Sequence, residues 1–172
     1  LLKLGTYGMM RYLVGVWGVG TWIFLEFVYM LCLVAIVYTS RTAIRQSDMK
    51  RIIAYASVAH INTTLVGLFS LTPQGIDGAF LQMLSHGLVS GALFICVGVL
   101  YDRHYSRRVS YYGGVAHTMP RYTAVFLFFT MANIGLPGTS SFVGEFMIFL
   151  GSFQVNTVVA FVSATGIILG GS

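Results

Sequence analysis

The stretch Tyr122–Phe153, YTAVFLFFTMANIGLPGTSSFVGEFMIFLGSF, decides what kind of fold this chain can have. It is apolar nearly throughout, and Glu145 is its one formal charge. A helix rises about 1.5 Å per residue, so about 20 residues cross a hydrocarbon core of roughly 30 Å. The stretch is longer than that and carries Gly135-Leu136-Pro137-Gly138 inside it, so it fits a bilayer only broken or tilted. A kink is the simple reading, since glycine and proline are common in transmembrane helices. The alternative is a discontinuous helix, whose freed carbonyls and amides need a wet cavity or a partner, as at transporter ion sites. The hydroxyls of Thr139, Ser140 and Ser141, followed by Glu145, favour the second reading.

The rest of the sequence has the same character. It is 56% hydrophobic and only 9% charged, too few charges for a water-facing surface, which normally needs about 25%. An all-α polytopic transmembrane bundle of six spans is expected. Span A runs from Leu1 to Leu13, span B from Trp22 to Tyr38 with Glu26 near its entry, and span C from Ile52 to Leu71. Thr72-Pro73-Gln74-Gly75 reads as a turn with a helix-breaking proline. Span D covers Ala79–Tyr101, span E is the broken Tyr122–Phe153, and span F runs from Val158 to Ser172. The whole chain, 1–172, is expected to be one membrane domain, cut at both ends, with no soluble domain. Cys32 and Cys96 lie alone in apolar stretches, without the spacing of a disulfide framework, zinc motif or iron–sulfur motif.

The loops sort by side. Loops B–C and D–E receive Arg41, Arg45, Lys50, Arg51, Arg103, Arg107, Arg108 and Arg121, eight of the ten Lys and Arg residues. The positive-inside rule then turns these loops to the cytoplasm or the mitochondrial matrix. The same placement accounts for the net charge of +5 without nucleic acid, which would need a basic stripe along a phosphate backbone.

Four ionisable side chains fall inside the spans: Lys3, His60, His86 and Glu145. Counted by helix rise from the nearest span-end markers, Arg11, Arg51, Gly78 and Ser152, each lies about 10–13 Å deep. Four helices thus each place one such group near the midplane. An ionisable group there costs at least about 2.5–3.5 kcal/mol, and such groups usually face a protein interior or a wet cavity on a proton or ion path. A mixed set of amine, imidazole and carboxyl groups would titrate as a coupled unit. Structural readings stand beside this one. Lys3 could snorkel, although its stem covers only about half the depth. His60 and His86 could be packing histidines, and Glu145 could serve the broken backbone. Asn62, Thr63, Thr64, Gln82, Ser85 and Ser90 could host waters or join helices.

Four segments resemble a known family: Leu1-Leu2-Lys3-Leu4-Gly5-Thr6-Tyr7-Gly8; Asp48-Met49-Lys50-Arg51-Ile52-Ile53-Ala54-Tyr55-Ala56-Ser57-Val58-Ala59-His60; Gln82-Met83-Leu84-Ser85-His86-Gly87; and Leu136–Phe146, with Glu145 at its end. They resemble the antiporter-like membrane subunits of respiratory complex I, NADH:ubiquinone oxidoreductase, and among them the chain 4 group. The resemblance extends over essentially the whole chain.

It implies a subunit of about fourteen helices, of which this chain would cover the eighth to the start of the thirteenth. Lys3, His86 and Glu145 would then be proton-relay residues and His60 a further relay position. Siblings often carry lysine where Glu145 stands, which favours chain 4. An upstream glutamate and lysine of the relay would precede Leu1. No cofactor is expected in this chain, with FMN, iron–sulfur clusters and ubiquinone held by other subunits of the enzyme. Expected partners are the other membrane-arm subunits, neighbouring antiporter-like subunits among them, together with the lipid bilayer and protons. The expected location is the mitochondrial inner membrane, or a bacterial plasma membrane. Three rival readings remain open here: a related cation/proton antiporter or membrane-bound hydrogenase subunit, a haem protein using His60 and His86 as axial ligands, and a purely structural membrane scaffold.

Overall fold

The computed structural model describes residues 2–16 and 18–170, so Leu1 of the first expected span and Gly171 and Ser172 of the last lie outside the description. Among the described residues the chain is helical, with no strand. Helix α1 (Leu2–Gly8) runs on through a π-helical segment, Met9–Val14, followed by α2 (Gly18–Ile23). The long helices are α3 (Leu25–Ile44), α4 (Met49–Phe69) and α5 (Pro73–His104). After the short α6 (Val115–Thr118), span E appears as two helices, α7 (Pro120–Ile134) and α8 (Ser140–Val155). The final helix is α9 (Thr157–Gly170).

Helices α3, α4 and α5 are each long and apolar enough to cross a membrane, while the break makes α7 and α8 individually short. Gly135 closes α7 with φ +79°, a left-handed conformation that favours glycine. Large apolar side chains cover the outside, among them Trp22, Phe27, Leu88 and Phe161, all more than 60% exposed. A water-soluble surface rarely shows such a continuous apolar face.

Spans B and D differ most from the sequence expectation. Span B begins at Leu25 and reaches Ile44, because Phe24 interrupts the helix between α2 and α3. Pro73 starts α5 where a break was expected. Thr72 caps it, its Oγ1 accepting from the Gly75 amide at 3.2 Å. Proline suits the first helical position because the amide it lacks would have no partner there. Span D is therefore longer by a turn and a half at its start, and His86 lies thirteen residues after Pro73.

The two basic loops meet. The Met49 amide donates to the Arg107 carbonyl and the Val109 amide to the Ser47 carbonyl, both at 3.0 Å, closing an isolated bridge between Asp48 and Arg108. Lys50 and Arg107 both approach the Tyr101 ring, at 5.3 and 4.5 Å from its centre. The loops expected to share one face of the membrane do share one.

Toward the other face, α5 and α8 close on a seam of glycines. A Cβ on Gly78 would stand 2.7 Å from Met147 Cβ and 2.8 Å from the Ile148 amide nitrogen, and one on Gly151 would stand 2.6 Å from the Gly75 backbone. Small residues let helix backbones approach this closely in membranes. Gly78→Ala should therefore lower the thermal midpoint of the membrane-embedded chain, at a cost of about 1–3 kcal/mol for overpacking. Gly91→Ala, at an exposed position with nothing within 4 Å, should leave that midpoint unchanged or raise it slightly.

Candidate functional site: a buried row of ionisable residues

Four helices each contribute one group, and the structure brings all four together. The Lys3 Nζ from α1 lies 2.5 Å from His86 Nδ1 on α5. The His86 ring touches that of His60 on α4, centroids 4.9 Å apart and planes tilted by 40°. His60 Nδ1 lies 3.0 Å from Glu145 Oε1 on α8. The order in space is Lys3, His86, His60, Glu145. His86 and Glu145 are buried, at 2% and 3% exposure. Lys3 points into the bundle at His86, so the snorkelling reading does not describe it.

Local sequence explains the arrangement. The break removes the helix between Ile134 and Ser140, and the Glu145 carboxylate folds back over Gly135. A Cβ there would lie 2.5 Å from Glu145 Oε2, so a bare backbone is required at that point as well as a left-handed one. The polar residues that could only be described as helix glue or water hosts divide into roles. Gln82, fully buried, donates from Nε2 to Glu145 Oε1 at 3.0 Å. Ser85 Oγ shares hydrogen bonds with Ser140 Oγ and Ser141 Oγ, at 2.8 and 2.9 Å, and holds the N-terminus of α8 against α5. Ser90 is half-buried and bonds back to Gly87. Asn62, Thr63 and Thr64 bond back to carbonyls of their own helix. The contact between Gln82 and Glu145 was missed from sequence. Its available signal was spacing, because Gln82 and His86 are four apart and share a helix face.

Buried polar atoms without a protein partner include His86 Nε2 and Gln82 Oε1. The first belongs to the row and the second to the residue that donates to its Glu145. The two rings touch at 4.9 Å while His86 engages Lys3 and His60 engages Glu145, which leaves no slot for a porphyrin between them and argues against the haem reading. Among the described residues no cluster of three or more His, Cys, Asp or Glu side chains could hold a metal.

The pattern of the family described as NADH:quinone oxidoreductase/Mrp antiporter, transmembrane, matches residues 1–170. The chain belongs to that family. Among its relatives, NADH-ubiquinone oxidoreductase chain 4 of Marchantia polymorpha is 59% identical over 170 residues, 99% of this chain and 34% of that protein. NADH-quinone oxidoreductase subunit M of Rhodobacter capsulatus is 55% identical over 98% of this chain and 33% of its own length. A chain of the structure of respiratory complex I from Thermus thermophilus with bound NADH superposes with a TM-score of 0.94 at 28% identity, covering 98% of this chain and 36% of that one. The chain thus spans about a third of the length of the curated relatives it matches. The all-helical membrane fold expected from sequence is the fold of this family.

The geometry at the break separates backbone strain from displacement of the carboxylate. Gly135→Ala should lower the thermal midpoint, through about 1–3 kcal/mol of left-handed strain, and on the relay reading should also cut proton translocation by about tenfold, because the methyl would stand only 2.5 Å from Glu145 Oε2. Gly138→Ala carries a similar strain at φ +101° with nothing within 4 Å, so it should lower the midpoint and spare translocation. Thermal scans paired with proton-flux assays on the assembled protein check both.

Proposed function

We propose that this chain is the C-terminal part of a chain 4-type subunit of NADH:ubiquinone oxidoreductase and carries the downstream half of a lateral proton relay, Lys3 to His86 to His60 to Glu145. The observation that supports it is the unbroken side-chain row through the protein interior. The names of the relatives, chain 4 and subunit M of NADH oxidoreductases, favour that enzyme over a free-standing cation/proton antiporter.

The relay follows from imidazole chemistry, in which each ring binds a proton on one nitrogen and releases one from the other. With Lys3 protonated, its ammonium donates to His86 Nδ1, and His86 carries its own proton on Nε2. His60 donates from Nδ1 to Glu145 Oε1, which leaves its Nε2 free to accept. A proton passed from Lys3 to His86 Nδ1 frees the one on Nε2. Captured at His60 Nε2, that proton frees the Nδ1 proton for the Glu145 carboxylate. The result is one positive charge moved from Lys3 to Glu145, leaving both neutral and both imidazoles in the other tautomer. His86 and His60 touch by their rings, so a ring rotation or a bridging water completes that step. Release of the proton from Glu145, rotation of both imidazoles back to their first tautomers and a fresh proton at Lys3 from the upstream part of the subunit together reset the row.

In this reading the flavin, iron–sulfur and quinone chemistry belongs to other subunits, which are also the partners of this chain along the membrane arm. The membrane is the mitochondrial inner membrane, in keeping with the plant relatives.

Lys3→Met or Glu145→Gln should reduce NADH-driven proton translocation more than tenfold, measured with a pH-sensitive dye in vesicles carrying the assembled complex. His60→Ala should give an intermediate loss. Full pumping in assembled Lys3→Met or Glu145→Gln complexes would mean the row is only scaffolding.

A further inference from the structure

The two halves of the broken span pack differently. Helix α8 packs against α4, α5 and α9, while α7 packs chiefly on α5. On the α8 side, from Glu145 toward the poorly charged face, the glycines Gly67, Gly75, Gly78, Gly144 and Gly151 leave less room than a Cβ needs, so α8 closes tightly on α4 and α5, and the cavity between α8 and α9 is lined by apolar residues alone. On the α7 side the helices part. A cavity of about 380 Å³ opens beside Met49 and Val109, next to the basic loops, and extends inward past Thr130 and Asn133. A second, much narrower cavity of about 20 Å³, room for a single water, reaches His60. Ala43, Ala56, Asn133 and Ile134 line both, so the two adjoin. His60 is the one titratable side chain among the lining residues of either cavity. From Met49 to His60 is eleven residues of α4, about 16 Å.

We propose that the relay opens to the basic face at His60, through a water-bearing cleft between α3, α4, α7 and α9 in which the Asn133 amide carries water to the imidazole. The cleft reaches the row between His86 and Glu145, so His60 becomes a branch point where protons enter or leave on the basic side. Asn133 lines both cavities, at the end of α7 next to the break. The break therefore does two jobs: it turns Glu145 inward and splays α7 away from α4 and α9. Non-helical backbone at membrane depth is tolerated where it lines such a water-filled space.

The proposal rests on the relay reading but can fail without it. In the assembled complex, Ala56→Cys and Thr130→Cys would be exposed to a membrane-impermeant cationic thiosulfonate from each side of sealed vesicles, with the native protein as background, since Cys32 and Cys96 are buried. Both variants should react from the basic face, several-fold faster than from the opposite face and than the background. Asn133→Leu should slow proton translocation about tenfold while NADH oxidation in the presence of an uncoupler stays unchanged, and Asn133→Gln should recover part of the loss. Cysteines that stay inert from the basic face, or react only from the other, overturn the cleft. So does an assembled Asn133→Leu complex that pumps normally. If Glu145→Gln stops pumping while the cysteines stay inert, the relay stands and this opening does not.

Discussion

An ionisable side chain in lipid is tolerated only when another group in the protein receives it, and the architecture of this chain follows from that constraint. Lys3, His86, His60 and Glu145 come from four helices and are each within reach of the next. A charge left alone at this depth would cost several kcal/mol. Together, an ammonium and a carboxylate at the ends of two imidazoles form a neutral set, and Gln82 supplies a further donor to the carboxylate. In the proposed relay, the contacts that make the row tolerable are also the steps along which a proton moves.

The break in span E serves this arrangement. It frees the backbone at Gly135 to lie under the carboxylate, and it lets the two half-helices choose different neighbours. Helix α8 uses small residues to close tightly on α5, and Ser85 fastens its start through Ser140 and Ser141. Helix α7 is held by apolar contacts among Val89, Leu93, Val97 and Ala132 and leans away from α4 and α9. The two half-helices thus differ in what they pack on and in the cavity beside them, apolar between α8 and α9 and bearing Thr130, Asn133 and His60 on the α7 side.

Much of this was legible in the sequence. The apolar runs and the basic loops fixed the spans and their sides, and helix rise put four ionisable groups at one height. Height is not direction, however. Rise along a helix says nothing of which way a side chain points about its axis, so the order Lys3, His86, His60, Glu145 and the place of His60 between the other two could be read only from packing. Pro73 was misread because proline both ends and begins helices, and the Thr72 cap decides between the two. The longer α5 places His86 about 20 Å from the start of its helix, deeper than the count from Gly78 suggested, yet it meets Lys3. Gln82 was one polar residue among several, and only the approach of α8 distinguishes it from Ser90.

The central claim is that these groups form one electrostatic unit. The direct measurement is an infrared pH titration of the Glu145 carboxyl stretch in the assembled protein, identified by its loss in Glu145→Gln, compared between the native chain and Lys3→Met. A connected row predicts that the Glu145 transition moves when the charge at Lys3 is removed. An identical titration curve in the two proteins would contradict it.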